Sequence, residues 1–240
     1  MSYSYEIIGN IAVIQVPKGA SQKELAKKVM KQNKNVKTVA KRTSEVSGPY
    51  RIKKVKVIMG EQTTETIHKE NNVKIKVDIN EAYYSPRLQT ERLRIIQQVK
   101  PEETIIDLFA GVGPYTIGIA KNTKAKKIYA IDHNPKAIEY LLENRLLNKA
   151  HNVSVLIGNS LEIIKELPNV DRIIMNAPRQ NNQETLEAAK EKIKKDGIIH
   201  YYTTNKKLPK INLKDLTIIN QRKVIEYAPG KKHICLDLKA

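Results

Sequence analysis

Thr104-Ile-Ile-Asp-Leu-Phe-Ala-Gly-Val-Gly-Pro114 decides the fold of this chain. Ile105, Ile106 and Leu108 make a short apolar run of the kind a buried strand uses. The run breaks at Gly111 and Gly113, and Tyr115, Ile117, Ile119 and Ala120 then follow at helical spacing. A strand that ends in glycines and feeds a helix lets the backbone approach a ligand, because glycine has no Cβ to clash. A second apolar run, Lys127–Ile131, ends in Asp132. That acid falls roughly 20 residues beyond the turn, where nucleoside-binding α/β folds place the carboxylate that grips ribose hydroxyls. Gly-x-Gly alone is a weak signal, often only a tight turn, and the third glycine of a dinucleotide fingerprint is out of phase here. Strand, Asp107, glycine turn, helix, strand and acid together are far more specific.

Outward from this unit, strands and helices alternate. Strands are expected near Thr104–Leu108, Lys127–Ile131, Val153–Ile157, Arg172–Met175, Gly197–Tyr202, Leu216–Val224 and Lys232–Leu238. Helices are expected near Tyr115–Lys121, Pro135–Leu147, Ser160–Leu167 and Gln183–Lys194. Such alternation builds a mostly parallel sheet with helices on both faces. Only Ala228-Pro229-Gly230 separates the last two strands, which predicts an antiparallel hairpin at the sheet edge.

The part before it reads differently. Tyr5–Val16 suggests two strands about Gly9-Asn10. Ser21 with Glu24 makes a capping box for a helix whose apolar stripe is Leu25, Ala26, Val29 and Met30. Lys23, Lys27, Lys28, Lys31 and Lys34 cover its other sides, a solvated face by the plain reading and an RNA-facing one by the sharper. Thr63–Glu70 and Val73–Ile79 pair across Asn71-Asn72, and Val73, Ile75, Val77 and Ile79 alternate cleanly with polar residues. Residues 1–80 are therefore expected to form a small α+β domain facing RNA, and residues 81–240 a Rossmann-like domain. At their junction Tyr83-Tyr84-Ser85-Pro86-Arg87 is dense in groups suited to base stacking and phosphate contact.

The bulk numbers narrow the class. A net charge of +18 attracts polyanions, although lysine-rich genomes give the same signal. No window is apolar and long enough to span a bilayer, and the first residues do not resemble a signal peptide. One cysteine, Cys235, excludes an internal disulfide and Cys-rich zinc sites. A cytoplasmic monomer with no metal and no membrane contact is the resulting expectation.

In open α/β sheets ligands lie beyond the carboxyl ends of the strands. The groups there are Asp107–Gly113, Asp132-His133, Gly158-Asn159-Ser160 and Met175-Asn176-Ala177-Pro178. The Asp-Leu-Phe-Ala-Gly-Val-Gly wording resembles motif I of S-adenosylmethionine-dependent methyltransferases, in which the turn faces the methionine moiety. Asn176-Ala177-Pro178 resembles the Asn-Pro-Pro-aromatic signature of methyltransferases acting on planar nitrogens, and the amide of Asn176 can both donate to and accept from a base edge. As an isolated tripeptide it would be an ordinary turn.

Gly48-Pro49-Tyr50-Arg51, Thr64–Glu70, Tyr83–Arg92, Asp107–Pro114, Ile131–Pro135, Met175–Pro178 and His200–Thr203 together resemble the archaeal and eukaryotic tRNA (guanine-N1-)-methyltransferases that modify position 37, beside the anticodon. Ser85-Pro86-Arg87-Leu88-x-Thr90-Glu91-Arg92 joined to Asp107–Pro114 is the most specific part. The resemblance implies a Rossmann-like class I methyltransferase sheet, S-adenosylmethionine as cofactor and the tRNA anticodon region as partner. It implies Glu91 as general base, Arg51 as the clamp on guanine O6 and Asn176 as a base-edge contact, with Tyr83, Arg87 and Pro178 around the base. Ser85, Arg92, Phe109, Gly111, Asp132, His133, Asn159 and Ser160 would surround the cofactor. The chemistry is coherent, because guanine N1 becomes nucleophilic only when its proton leaves, and the charge that develops on O6 needs a cation. The plainer alternative for Glu91 is a helix carboxylate paired with Arg87 or Arg94.

The chain departs from the pattern at Asn159, where an acid is usual, and at Ala177. It also lacks the additional N-terminal domain of larger members. Some short archaeal relatives in the family it resembles also methylate the wyosine precursor 4-demethylwyosine, a second activity the altered base-pocket turn keeps open. Two other readings are a wyosine-pathway aminocarboxypropyl transferase and a catalytically dead, basic RNA-binding protein.

Overall fold

The computed structural model describes residues 4–44, 50, 52, 54–176, 183–204, 212–228 and 230–240. Contacts divide the chain into two compact units, Met1–Pro86 and Arg87–Ala240. The division falls after Pro86 rather than at residue 80, and Tyr84 donates a buried 2.6 Å hydrogen bond to Glu70 within the first unit.

In the first unit β1 (Tyr5–Ile8) and β2 (Ile11–Ile14) form the hairpin expected about Gly9-Asn10. Helix α1 (Gln22–Gln32) starts at Ser21, whose hydroxyl accepts from the Glu24 amide. It crosses over to β3 (Thr38–Arg42), which runs parallel to β2, and β4 (Val55–Gly60) completes a four-stranded sheet. Ala26 and Val29 of the helix pack on Ala12, Ile14 and Val39, so the polar side of α1 is left to its lysines. A separate ribbon pairs β5 (Glu65–Glu70) with β6 (Val73–Asp78). Asn71 and Asn72 turn it with positive φ, which asparagine tolerates better than most residues.

The second unit begins with a 3-10 turn over Pro86–Leu88 and helix α2 (Gln89–Gln98). It continues as β7 (Thr104–Asp107), α3 (Pro114–Asn122), β8 (Lys127–Asp132), α4 (Pro135–Leu147), β9 (Val153–Ile157), α5 (Ser160–Glu166), β10 (Val170–Met175), α6 (Gln183–Lys192), β11 (Ile193–Thr204), β12 (Thr217–Ala228) and β13 (Lys231–Lys239). The sheet order is β12-β13-β11-β10-β7-β8-β9. The five strands β7 to β11 are mutually parallel, and β13 runs antiparallel to both β11 and β12. The final hairpin is therefore at the edge as expected, but folds back so that its second strand is inserted beside β11. Chain order reverses between β7 and β10, and this switch point opens a crevice beyond the carboxyl ends of both strands. Ile106, Leu108, Ile173, Met175, Ile199, Leu236 and Leu238 fill the core beneath it.

Candidate active site

The glycine turn at the end of β7 is held from three sides. Asp107 is fully buried, and one of its oxygens accepts from the Thr116 hydroxyl at 2.8 Å. The amide of Gly111 donates to Asp132 Oδ2 at 2.7 Å, while Asp132 Oδ1 accepts from the Asn134 amide at 2.9 Å. Asp132 thus braces the loop through one lone pair on each oxygen and keeps others for a ligand's hydroxyls. Gly113 has φ +84°, a conformation that strains any L side chain, and a Cβ there would lie 2.2 Å from Leu141 Cδ1, so the α4 side chain would have to shift.

The other expected cofactor residues divide into two sets. Phe109 is half-buried against the core, and His133 is exposed with Nδ1 3.8 Å from Asp132 Oδ1. Asn159 caps α5 by accepting from the Leu161 amide, and its side chain faces solvent beyond β9. Ser160 and Arg92 are buried. Ser160 donates its hydroxyl to the Leu108 carbonyl and so ties α5 to the turn. Ser85 and Tyr83 belong to the first unit, with the Tyr83 side chain exposed. Arg51 and Pro178 lie outside the described residues. Arg87 donates to the Glu226 carbonyl at 2.7 Å and so fastens the entry of α2 to β12.

Glu91 is 2% exposed on the first turn of α2. Its carboxylate accepts from Arg94 Nε and Nη2, with the shortest contact 2.7 Å, and from the Tyr202 hydroxyl at 2.8 Å. Arg222 Nε of β12 stands 3.4 Å from Oε2. The helix pairing with Arg94 anticipated as the plainer alternative is therefore present, but in the interior rather than on the surface. Met175 and Tyr201 are register partners at the carboxyl end of β10, so Asn176, just past β10, and Tyr202 of β11 come next at the same end of the sheet. Glu91 and Asn176 are thereby brought to the same rim of the sheet.

Sequence reasoning missed what stands behind Glu91. Arg94 Nη1 donates to Asp237 Oδ2 at 2.6 Å, and His200 Nδ1 lies 2.6 Å from Asp237 Oδ1. On its far side His200 Nε2 is 2.6 Å from Arg172 Nη1, and Arg172 forks onto Glu103. A guanidinium cannot accept, so Nε2 is the acceptor and Nδ1–H donates to Asp237. Burial, reinforced by the Arg172 charge, lowers the His200 pKa against the pull of Asp237. Burial would raise the Asp237 carboxyl, but its bonds to His200 and Arg94 outweigh it and hold it well below the usual carboxylate range. His200, Cys235 and Asp237 present ligand atoms within 4.8 Å of one another, the spacing of a metal site. Guanidinium groups already occupy both ends of that cluster, so a further cation would be repelled. Sequence offered one signal, the quoted His200–Thr203 block, but not the partners that fold against it.

A nucleotide-type glycine turn, a mixed sheet with an inserted antiparallel strand, and a buried carboxylate at its rim define a Rossmann-like class I methyltransferase. The chain belongs to the TRM5/TYW2 family. The TRM5/TYW2 methyltransferase domain matches residues 66–227 and the TYW2 N-terminal domain matches residues 1–63. The chain is 40% identical to tRNA (guanine(37)-N(1))-methyltransferase Trm5b of Pyrococcus abyssi, over 98% of this chain and 74% of that protein. It is 36% identical to tRNA 4-demethylwyosine(37)-methyltransferase Taw21 of Saccharolobus solfataricus, over 98% of this chain and 93% of that one. Among solved structures, the complex of aTrm5 with tRNALeu superposes with a TM-score of 0.87 at 35% identity, covering 99% of this chain and 72% of that chain.

Proposed function

We propose that this protein methylates N1 of guanosine 37 in tRNA with S-adenosylmethionine. The observation that carries this reading is the Glu91 carboxylate, desolvated, hydrogen-bonded by Tyr202 and Arg94, and at the same rim as Asn176. The cofactor supplies a methyl group on a sulfonium. Gly111, Asp132, His133 and Asn159, with Phe109 beside the turn, form the cradle for it. The backbone at Gly111 admits close approach, and Asp132 has acceptor capacity left for a ribose. Buried Asp107 Oδ1, which has no hydrogen-bond partner among the described residues, leaves an acceptor beneath the turn where a cationic ligand would sit. Arg92 and Ser160 support this cradle from within the core, and Ser85 is the contact expected from the first unit.

Glu91 takes the N1 proton, which converts the guanine ring into a nucleophile. Asn176 meets the base edge, Arg51 offsets the charge on O6, and Tyr83, Arg87 and Pro178 flank the entering nucleotide. Relatives named as methylating guanosine 37 support the substrate, including Trm5b of Methanocaldococcus jannaschii at 38% identity over all of this chain and 71% of that protein. The anticodon loop as the contacted region and a monomeric, cytoplasmic protein follow from the same reading.

One observation favours a second substrate at the same site. The chain is also 36% identical to a 4-demethylwyosine methyltransferase, and the N-terminal match is to the TYW2 type. A related aminocarboxypropyltransferase is 34% identical over the full chain. Unmodified tRNA transcripts carrying guanosine or adenosine at position 37, and tRNA carrying 4-demethylwyosine, decide among these when products are mapped by mass spectrometry. A methyl on N1 of guanosine 37 is expected. An aminocarboxypropyl adduct, or no product on any substrate, would overturn the proposal.

A further inference from the structure

Three features outside the cofactor cradle stand out. Leu142, Leu146 and Leu147 leave an exposed apolar strip on α4, and nothing in the structure indicates what would cover it. The His200–Cys235–Asp237 cluster has the spacing of a metal site but is filled by guanidinium groups. The third is the chain of charges that ends on Glu91, and it carries an argument.

We propose that Arg94 and Asp237 are positioning residues for proton abstraction: they fix the Glu91 carboxylate with Oε1 the more fully bonded oxygen, and leave a lone pair of Oε2 to receive the substrate's proton. The inference rests on Glu91 being the base. Oε1 is saturated. It accepts from Arg94 Nη2 at 2.7 Å, from Tyr202 Oη at 2.8 Å and from Arg94 Nε at 3.2 Å. Oε2 has Arg94 Nε at 3.0 Å and only the long 3.4 Å approach of half-exposed Arg222. A carboxylate oxygen has two lone pairs, so the next hydrogen-bond donor to arrive is best received at Oε2, in place of Arg222.

Arg94 cannot orient Glu91 unless it is itself fixed. Asp237 does this with both oxygens, at 2.6 Å to Nη1 and 3.1 Å to Nη2. Asp237 is in turn held by His200 Nδ1–H and by Asn220 Nδ2 at 2.9 Å. The planar fork of arginine lets one side chain serve two carboxylates at once, which the single ammonium of lysine cannot do. The groups that face Glu91 are Arg94 on its own helix, Tyr202 on β11 and Arg222 on β12. Behind them stand Asp237 and Cys235 on β13, and Tyr115 on α3, whose hydroxyl donates to Tyr202 at 3.0 Å. Removing the Arg94 fork frees the carboxylate to rotate away from the position in which Oε2 meets the substrate.

The test compares Arg94→Lys and Asp237→Asn with Glu91→Gln in single-turnover methyl transfer to unmodified tRNA, with KM for tRNA and cofactor affinity measured separately. Arg94→Lys is expected to slow transfer about a hundredfold, the usual cost of a misplaced catalytic group, and to leave KM and cofactor affinity unchanged. Asp237→Asn, of the same shape as the native side chain, should give a smaller loss of the same kind and decides the matter if Arg94→Lys does not fold. A wild-type single-turnover rate in a folded variant would overturn the proposal. So would parallel losses of cofactor binding and rate, which mark a merely structural role. Glu91→Gln should lose about 10²–10⁴-fold; full turnover in that variant would instead remove the reading beneath the proposal.

Discussion

Asp107 shows how much the site asks of a single residue. Its carboxyl is pushed from the ordinary 3.8 to about 7, first by burial, and the negative charge of Asp132 adds to this against the Thr116 and Phe109 hydrogen bonds. The sign follows from linkage. A group whose pKa is higher folded than unfolded binds its proton more tightly in the native state. Its stabilisation is complete below about 4 and is lost as pH rises through about 7. Replacing it by asparagine removes the ionisation and keeps the shape. Asp107→Asn should therefore melt progressively higher than wild type as pH is raised from about 4 to about 8, by up to roughly 4 kcal/mol at the alkaline end. A difference that does not grow with pH in thermal melts would mean that Asp107 is already ionised in the free protein. The glycine two positions beyond Gly111 makes a different demand. Gly113→Ala forces a side chain into a left-handed turn and against Leu141, and should cost about 1–3 kcal/mol, read from denaturant unfolding.

Among the secondary-structure elements, polar bonds join strands whose side chains would ordinarily be apolar. Arg172 on β10 is 1% exposed and His200 on β11 is fully buried, yet each has charged or polar partners on both sides. Removing one member leaves the others buried without compensation. Arg172→Met should cost about 3–5 kcal/mol, because Glu103 and His200 lose their donor together. The exposed pair Lys136–Glu139 gives a contrast, and Lys136→Ala should cost under about 0.5 kcal/mol. Chemical denaturation of both variants checks the ratio. These same strands explain what could be read in advance. The alternation of Val73, Ile75 and Val77 and the Ser21 cap are local signals, so β6 and α1 were legible, as was the β7 glycine turn. Insertion of β13 beside β11 is a long-range choice that a three-residue connection does not encode. Arg172, His200 and Asp237 look like solvent-facing positions in sequence, since nothing local reveals that both faces of these strands are covered. The motifs singled out Glu91 and Asn176, whereas the bond of Tyr202 to Glu91 arises only when α2 folds against β11.

Over the whole molecule, the net charge of +18 must be reconciled with a site whose charges are almost all paired. Among the described residues the charges beside Glu91 are paired, whereas the lysines on the polar sides of α1 face outward and can attract a polyanion. This separates two kinds of binding in one protein. Nucleic acid held by such lysines releases counterions, and each neutralised phosphate lowers the slope of log affinity against log salt by about 0.7–0.9. A footprint of about six phosphates predicts that tRNA affinity falls by roughly 10³-fold between about 50 and about 200 mM salt. S-adenosylmethionine, in the proposed cradle of backbone and largely sheltered carboxylates, should lose little over the same range, because sheltered interactions are weakly screened. Filter binding for tRNA and calorimetry for the cofactor, in the same buffers, measure both slopes. If tRNA affinity proved as insensitive to salt as that of the cofactor, the lysine excess would be a feature of composition, and recognition would rest on the base pocket alone.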